Sequence, residues 1–175
     1  MRKLLIVIDM QNDFIDAALG TSQAVSIVEA VKEKIRSYPP EDVIATMDTH
    51  TDRYPETQEG KYLPVPHCSK GSKGWQIRPD IAALLKDARI YEKPAFGSIQ
   101  LASDLKELSG KEEIRLELIG LCTDICVVCN ALLFKAMMPE VPICVDASCC
   151  AGVTVPKHEA ALETMRSCQI RVING

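Results

Sequence analysis

Short, unbroken apolar runs alternate along the chain with segments whose apolar residues recur at helical spacing. The first run spans residues 3–9 and contains Leu4 to Ile8 with no polar residue between them. An apolar run without alternation is typical of a parallel strand that is buried on both faces. The same pattern predicts further strands at residues 43–47, 88–92, 114–121, 141–145 and 170–173.

The segments between these strands predict helices. The first extends over residues 21–36, with Val25, Val28, Val31 and Ile35 on one face, and Pro39 and Pro40 follow its end. Further helices are predicted at residues 79–85 and 99–108, after residue 121, and from Pro156 onward. Regular alternation of strands and helices predicts an α/β fold, a doubly wound parallel sheet of six strands with helices on both faces. The 175 residues are expected to form a single domain, residues 1–175.

Residues 49–78 show no convincing helical or strand pattern. A segment of this length without secondary structure is usually either functional or disordered. It contains Tyr54, Tyr62, Trp75 and two of the three histidines of the chain. Because disordered segments are poor in aromatic residues, we expect an ordered active-site loop here.

Composition and charge narrow the functional classes. The chain is 47% hydrophobic and 25% charged, with a formal net charge of -4, so it lacks the basic character of proteins that bind nucleic acid. No apolar stretch approaches the roughly 20 residues that span a bilayer, and the run from Leu4 is too short for a secretion signal. Eight cysteines without a signal favour reduced thiols, and a cytoplasmic location is expected.

The stretch from Gly120 to Cys126 joins a predicted buried strand to a predicted helix. Thr123 or Asp124 is expected to cap that helix, which places Cys126 in its first turn. There the helix dipole would stabilise a thiolate and lower the thiol pKa, which makes Cys126 a candidate nucleophile. The alternative interpretation is a small residue that fills space beneath the helix.

Other cysteines offer minor alternatives. Cys126 and Cys129 have the spacing of a redox pair, although two valines separate them, and Cys129 is expected in the middle of the helix. Cys122, Cys126 and Cys129 could also contribute to a zinc site, but no fourth ligand lies nearby in the sequence. The adjacent Cys149 and Cys150 are expected in a turn-like segment, where they would serve packing.

Reactive side chains follow three of the predicted strands. Asp9 ends the first strand, Lys93 ends the third, and Cys126 follows the fourth. In a parallel sheet of order 3-2-1-4-5-6, the carboxyl ends of these strands border the crevice where ligands bind. Asp9 could then act as general base toward the thiol, while Lys93 keeps Asp9 ionised and stabilises the thiolate. The tight turn also points peptide N–H groups toward a possible oxyanion.

Several motifs together resemble one enzyme family. Residues 9–14 resemble the opening D-x-Q-N-D-F of the isochorismatase-like cysteine hydrolases, and residues 120–126 resemble their G-x-x-T-D-x-C nucleophile turn. Glu92 and Lys93 resemble the lysine motif of the family. Asp48-Thr49-His50, with Glu59 and His67 further on, resembles the metal site of the nicotinamidases within this family. The motifs keep their order and cover nearly the whole chain.

The resemblance implies a Rossmann-like fold and a catalytic triad of Asp9, Lys93 and Cys126. It also implies a non-proline cis peptide bond between Leu121 and Cys122, which would aim the N–H groups of Cys122 and Cys126 at the oxyanion. Phe14, Trp75 and Phe96 become candidates for aromatic walls around a flat substrate ring, although core packing is an equal alternative for Phe96.

The metal site implied by the resemblance comprises Asp48, His50, Glu59 and His67. Two imidazoles with carboxylates suit a divalent transition metal, zinc before iron or manganese, and the absence of thiolate ligands argues against a closed structural zinc site. The third histidine, His158, is expected on the surface of the last helix.

The function implied is hydrolysis of a small-molecule amide by a metal-containing cysteine amidase, with nicotinamide as the first candidate substrate. A metal-free amidase acting on an N-carbamoyl compound or another small amide is the alternative. A binding module with an inactive pocket and a redox protein using Cys126 and Cys129 are the remaining classes. A homo-oligomer is expected, without nucleic acid or membrane partners.

Overall fold

A computed structural model describes all residues, Met1–Gly175. Six parallel strands form one sheet in the order β3-β2-β1-β4-β5-β6, which confirms the predicted fold class and strand order. The strands are β1 Arg2–Ile8, β2 Val43–Asp48, β3 Arg89–Lys93, β4 Ile114–Leu121, β5 Ile143–Ala151 and β6 Arg171–Ile173. The helices are α1 Asn12–Ile15, α2 Ser22–Ser26, α3 Val28–Arg36, α4 Gln58–Tyr62, α5 Pro79–Ala82, α6 Ile99–Ser109, α7 Val128–Met137 and α8 Val155–Ser167.

The sheet separates two hydrophobic clusters of similar size. Leu4, Ile6 and Ile8 of β1 belong to a cluster of 22 buried residues that also draws on α6, α7 and α8. Leu5 and Val7 belong to a second cluster of 21 buried residues on the face covered by α3. Because successive side chains of a strand point to opposite faces, an unbroken apolar strand supplies both clusters.

No helix is both long enough and apolar enough to span a membrane.

The strand register aligns the ends from which the site is built. Ile8 of β1 pairs with Gly120 of β4, and Asp48 of β2 pairs with Lys93 of β3. Asp9 and the turn after β4 therefore leave the sheet at the same level, beside Asp48 and Lys93.

Several sequence-based boundaries are wrong, including the end of the helix predicted at residues 79–85, which stops at Ala82. The predicted helix at residues 21–36 is two helices that meet at Ile27, and Val25 is 45% exposed rather than on the buried face. The Thr21 hydroxyl accepts a hydrogen bond from the N–H of Ala24 and caps α2 alone. Residues 49–78 contain a 3₁₀ turn, Tyr54–Glu56, and the short helix α4.

Another wrong boundary is the end of the fifth strand. It extends to Ala151, so Cys149 and Cys150 lie within β5 and not in a turn. Asp146 and Ser148 interrupt the apolar pattern, but the Ser148 hydroxyl donates a hydrogen bond to Asp146, and Lys34 pairs with Asp146 at 2.6 Å. The local hydrogen bond from Ser148 and the distant charge of Lys34 together let a carboxylate occupy a buried strand.

Gly120 occupies a position that only glycine suits. Its φ is +116°, and a Cβ there would overlap the carbonyl oxygen of Ile8 on the neighbouring strand. We expect Gly120→Ala to lower the free energy of unfolding by about 3 kcal/mol, since a positive φ alone costs about 1–3 kcal/mol and the overlap adds to it. Urea unfolding measures the change.

Gly71→Ala is the matched control for this prediction. Gly71 also has a positive φ, +84°, but a Cβ there would have no heavy atom within 4 Å. We therefore expect a loss of only about 1 kcal/mol, from backbone strain alone. Equal losses from both substitutions would contradict the role of the close approach between Gly120 and Ile8.

Candidate active site

Asp9, Lys93 and Cys126 meet at the carboxyl edge of the sheet. The Lys93 Nζ lies 2.7 Å from Asp9 Oδ2 and 3.4 Å from Cys126 Sγ. It also lies 3.3 Å from Asp48 Oδ1. Only 1% of the Lys93 surface is exposed. A buried ammonium is therefore surrounded by two carboxylates and the thiol, in the arrangement expected from the strand ends.

Asp9 is held by the neighbouring strand. Its φ is 48°, and the Thr46 hydroxyl donates a 2.6 Å hydrogen bond to Oδ1. Asp9 Oδ2 makes no hydrogen bond apart from its ion pair with Lys93. Burial raises the pKa of Asp9, and the positive charge of Lys93 offsets only part of that rise. This carboxylate can therefore accept a proton more readily than an exposed aspartate.

The charge of Lys93 is maintained by its neighbours. Burial by itself would lower the pKa of Lys93, but its acidic neighbours, Asp9 first, outweigh burial and raise the pKa above its ordinary value. The ammonium therefore stays protonated and can stabilise negative charge on whichever partner carries it.

The turn that carries Cys126 differs from the predicted helix start. Residues Thr123–Val127 form a π-helical turn in which the N–H groups of Ile125 and Val127 both donate to the Cys122 carbonyl at 3.1 Å. Helix α7 begins only at Val128, so Cys129 lies in its first turn rather than in its middle.

Neither Thr123 nor Asp124 caps this turn, so the predicted cap is wrong. The Thr123 hydroxyl lies 2.8 Å from Nδ1 of His158, and Asp124 accepts a hydrogen bond from the N–H of Val153. Both side chains instead join the turn to the start of α8. His158 is accordingly half-buried, which corrects the expectation of a surface histidine.

The thiol of Cys126 is buried, and burial raises its pKa well above the ordinary value. The negative charge of Asp9 adds to the rise, while Lys93 opposes it. The predicted lowering of the pKa by the helix dipole is therefore wrong, because the loss of hydration outweighs a partial charge at a helix end. Cys126 rests as a neutral thiol and needs a base to become a nucleophile.

The peptide bond between Leu121 and Cys122 is cis, as the resemblance implies.

Asn130 of α7 supports the turn through its side-chain amide. Its side-chain amide donates to the carbonyl oxygens of Cys126, at 2.8 Å, and Phe96, at 3.1 Å, while its Oδ1 accepts from the N–H of Ser98. Asn130 thereby joins the nucleophile turn to the segment that follows β3.

Asp48, His50, Glu59 and His67 come together beside this cluster. One donor atom from each lies within 4.8 Å of all the others. Nε2 of His50 lies 2.9 Å from Asp48 Oδ2, and Nε2 of His67 lies 3.6 Å from both Asp48 Oδ2 and Glu59 Oε1. The ring of Tyr54 packs against both imidazoles, with centroids 4.6 and 5.1 Å away.

The donor set fits a divalent transition metal. His67 Nδ1 lies 2.9 Å from the Val65 carbonyl, which fixes the tautomer with Nε2 free toward the cluster. His50 Nε2 is buried and makes no hydrogen bond. Although burial would raise the pKa of Asp48, the nearby imidazoles of His50 and His67 and the charge of Lys93 lower it, so the carboxylate is ionised. Two imidazoles and two carboxylates without a thiolate suit zinc, iron or manganese.

One cavity of about 650 Å³ connects the two clusters. Its walls include Asp48, His50 and Glu59 on one side and Cys122 and Cys126 on another. The sequence-predicted aromatic residues Phe14 and Phe96 both line it.

Trp75 does not line the cavity, contrary to expectation. Its indole N–H donates a 2.9 Å hydrogen bond to the Thr49 hydroxyl, and its ring packs against the hydrophobic cluster on the α3 face. The residue therefore fixes the course of the loop after β2. Tyr62 and Leu63 line the cavity instead.

Two supporting residues lie within the first motif but receive no role from the sequence alone. The Gln11 side chain donates to the carbonyl oxygens of Asp48 and Trp75 and accepts from the N–H of Asp48, all within 2.8 Å. Asp13 accepts a 2.7 Å hydrogen bond from the N–H of Cys68. Together they hold the end of β2 and the long loop beside the histidines.

Comparison with known proteins agrees with this fold. The isochorismatase domain family matches residues 3–175. An uncharacterized isochorismatase family protein of Bacillus subtilis, PncA, is 34% identical over 151 residues, covering 75% of this chain and 78% of that protein.

Two solved structures extend this comparison over almost the whole chain. The nicotinamidase PncA from Bacillus subtilis superimposes with a TM-score of 0.81 and 27% identity, covering 98% of this chain and 99% of that one. The pyrazinamidase of Pyrococcus horikoshii in complex with zinc superimposes with a TM-score of 0.82 and 27% identity, covering 100% of both chains.

The fold and the clustered thiol, ammonium and carboxylate define a hydrolase with a Rossmann-like sheet. The chain belongs to the isochorismatase family. The predicted family and the predicted hydrolase class are thereby confirmed.

Proposed function

We propose that this amide hydrolase converts nicotinamide and water to nicotinate and ammonia. The observation that carries the proposal is that a single cavity is lined both by Cys126 and by three of the four clustered donors, Asp48, His50 and Glu59. The nicotinamidase and pyrazinamidase neighbours, the latter solved with zinc, support a ring amide as the substrate.

In the first half of the reaction, Asp9 takes the proton of the Cys126 thiol and the sulfur attacks the carboxamide carbon. A C–S bond forms, and the carbonyl π electrons move to oxygen. The N–H groups of Cys122 and Cys126 are the donors for that oxyanion. Lys93, in contact with Asp9 and Cys126, balances the negative charge that passes between them.

The tetrahedral intermediate collapses when Asp9 returns its proton to the amide nitrogen. The C–N bond breaks, ammonia leaves, and a thioester remains on Cys126. Asp9, again ionised, takes a proton from water, which attacks the thioester carbon. Nicotinic acid is released when the C–S bond breaks and the sulfur recovers its proton.

Asp48, His50, Glu59 and His67 would hold the metal, and we expect zinc before iron or manganese. When bound, the metal supplies a Lewis-acid site at which a ring nitrogen can be fixed, so that the carboxamide faces Cys126. Asp48 also contacts Lys93. This contact joins the metal donors to the residues that carry out the chemistry.

The alternatives are less well supported. A metal-free amidase gives no purpose to four donor side chains whose ligand atoms all lie within 4.8 Å of one another. For a redox pair of Cys126 and Cys129, burial raises the pKa of both thiols, whereas redox motifs depend on a lowered one. Cys129 is also absent from the residues that line the cavity. A cytoplasmic, homo-oligomeric enzyme of nicotinamide salvage remains part of the proposal.

We expect His50→Ala to lose the metal and to raise KM for nicotinamide by about tenfold or more, because loss of a single supporting contact already costs about 10- to 100-fold in metal affinity. Elemental analysis of the purified variant and steady-state kinetics measure the two effects. Cys126 should still react with iodoacetamide, because Asp9 and Lys93 contact the thiol region directly and remain in place when His50 is replaced.

Glu56→Ala is the matched control for the metal site. Glu56 is an exposed carboxylate of the same loop, paired with Arg53 at 2.9 Å and outside the donor cluster. Its replacement should leave metal content and KM unchanged. Absence of stoichiometric transition metal from the unmodified protein would favour the metal-free amidase instead.

A further inference from the structure

The mouth of the cavity is apolar and uncovered. Tyr62 is 84% exposed, Phe96 is 41% exposed and Leu63 is 36% exposed, yet all three line the same cavity as Cys126. Exposed apolar surface concentrated at a concave site commonly marks a ligand-binding groove. A ligand that extends beyond the catalytic cluster could therefore contact the exposed surface of these side chains.

Both walls of this mouth are fixed to the catalytic machinery. Phe96 is held through the hydrogen bond from Asn130, whose amide also donates to Cys126. At Leu63, the Tyr54 hydroxyl donates a 2.8 Å hydrogen bond to the Leu63 carbonyl, while the Tyr54 ring packs against His50 and His67. The backbone at Phe96 and Leu63 is therefore positioned before a substrate arrives, which lowers the entropic cost of binding.

The cavity is larger than nicotinamide requires. Its volume of about 650 Å³ lies well inside the range of about 300–1,000 Å³ that encloses drug-sized ligands. A single ring with one carboxamide, placed between the metal donors and Cys126, would leave the space beside Tyr62 and Phe96 unfilled. Additional apolar atoms on the ring could bury against these two side chains.

The charges around the cavity exclude one kind of substituent. Its lining includes the carboxylates Asp48 and Glu59 and contains no lysine or arginine. Lys93 lies behind the wall, 1% exposed and already in contact with two carboxylates and a thiol. An anionic group on the substrate would lose its hydration without gaining a cationic partner.

We infer that the enzyme selects uncharged ring amides that carry an apolar substituent remote from the carboxamide, and that Tyr62 and Phe96 determine this selectivity. The inference rests on the proposed function and names the substrate class of the same site. The carboxamide lies at Cys126, and the substituent lies between the two aromatic side chains at the mouth.

The test compares nicotinamide with nicotinamides that bear methyl, ethyl, propyl or carboxylate groups on ring carbons remote from the carboxamide. We expect kcat/KM for ammonia release to rise about fourfold for each methylene that becomes buried, and the carboxylate derivative to fall at least about tenfold below nicotinamide. Calorimetric titration of the metal-loaded Cys126→Ala protein should give the same order of affinities without turnover.

Substitutions then test which residue determines the selectivity for alkyl-substituted amides. Tyr62→Ala should lower kcat/KM for propyl-nicotinamide several-fold more than for nicotinamide. The rise in kcat/KM that the propyl group gives the unmodified enzyme should therefore become smaller in this variant. Ile99→Ala is the control, because Ile99 is 73% exposed and does not line the cavity; it should leave both substrates unaffected.

The outcomes separate the inference from the proposed function. Hydrolysis of nicotinamide with no gain from alkyl groups, or with equal use of the carboxylate derivative, would overturn the inference alone. An equal loss for both substrates in Tyr62→Ala would also overturn it. Failure to hydrolyse any ring amide would overturn the proposed function and the inference with it.

Discussion

Replacing Cys126 with alanine is expected to abolish amide hydrolysis, with kcat reduced by about 10⁴-fold or more, the scale on which removal of a nucleophile acts in other hydrolases. The reason is that the sulfur forms the bond on which both halves of the proposed reaction depend. Folding should persist, since the substitution removes one sulfur atom at the edge of an open cavity. Ammonia release and circular dichroism measure the two expectations.

Cys129→Ala provides the matched control for this result. Cys129 lies three residues away, is half-buried, and is absent from the cavity lining. Its replacement should leave most of the activity. Equal losses from the two substitutions would contradict the nucleophile assignment and favour a cysteine pair acting together.

Asp9→Asn and Lys93→Ala are expected to reduce kcat/KM by about 100-fold or more each, because general-base transfer typically supplies that much. Asparagine cannot accept the thiol proton, and loss of the ammonium leaves Asp9 and Asp48 without their shared cation. The effects should not add in the double variant, since both residues act on one proton. Near-normal activity in either single variant would contradict the triad.

The pH dependence follows from the same pair. Hydrolysis requires ionised Asp9, whose pKa burial raises, so activity should fall as pH decreases through a value above that of an exposed aspartate. The positive charge of Lys93 opposes the rise in the pKa of Asp9. Lys93→Ala should therefore raise that pKa further, so that the residual kcat/KM falls at a still higher pH. If Lys93→Ala leaves the acid side of the pH profile of kcat/KM unchanged, Asp9 is not the group whose protonation stops hydrolysis.

The strand-end residues could be predicted from the sequence because topology alone places them. Asp9 and Lys93 follow apolar runs, and the parallel order 3-2-1-4-5-6 brings such ends together whatever the packing details. Asp48 and His50 share a strand end for the same reason. Glu59 and His67 were expected only from the family resemblance, since the loop that carries them has no periodicity.

Several of the failures share one cause, which is that the partners of these residues lie far away in the sequence. Thr123 and Asp124 have the residue types of helix caps, but His158 and Val153 of a later segment take up their hydrogen-bonding groups. Trp75 suits a substrate wall by composition, yet Thr49 holds its indole elsewhere. The pKa of Cys126 depends on burial, which a single stretch of sequence does not reveal.

The most direct test of the central claim is ammonia release from nicotinamide and from benzamide by the same metal-loaded preparation. The two amides differ only in the ring nitrogen. Nicotinamide has this nitrogen and could bind the metal proposed at Asp48, His50, Glu59 and His67, whereas benzamide lacks it. The account predicts that nicotinamide is hydrolysed about 100-fold faster than benzamide, because only nicotinamide is oriented toward Cys126. Equal rates for the two amides would contradict it.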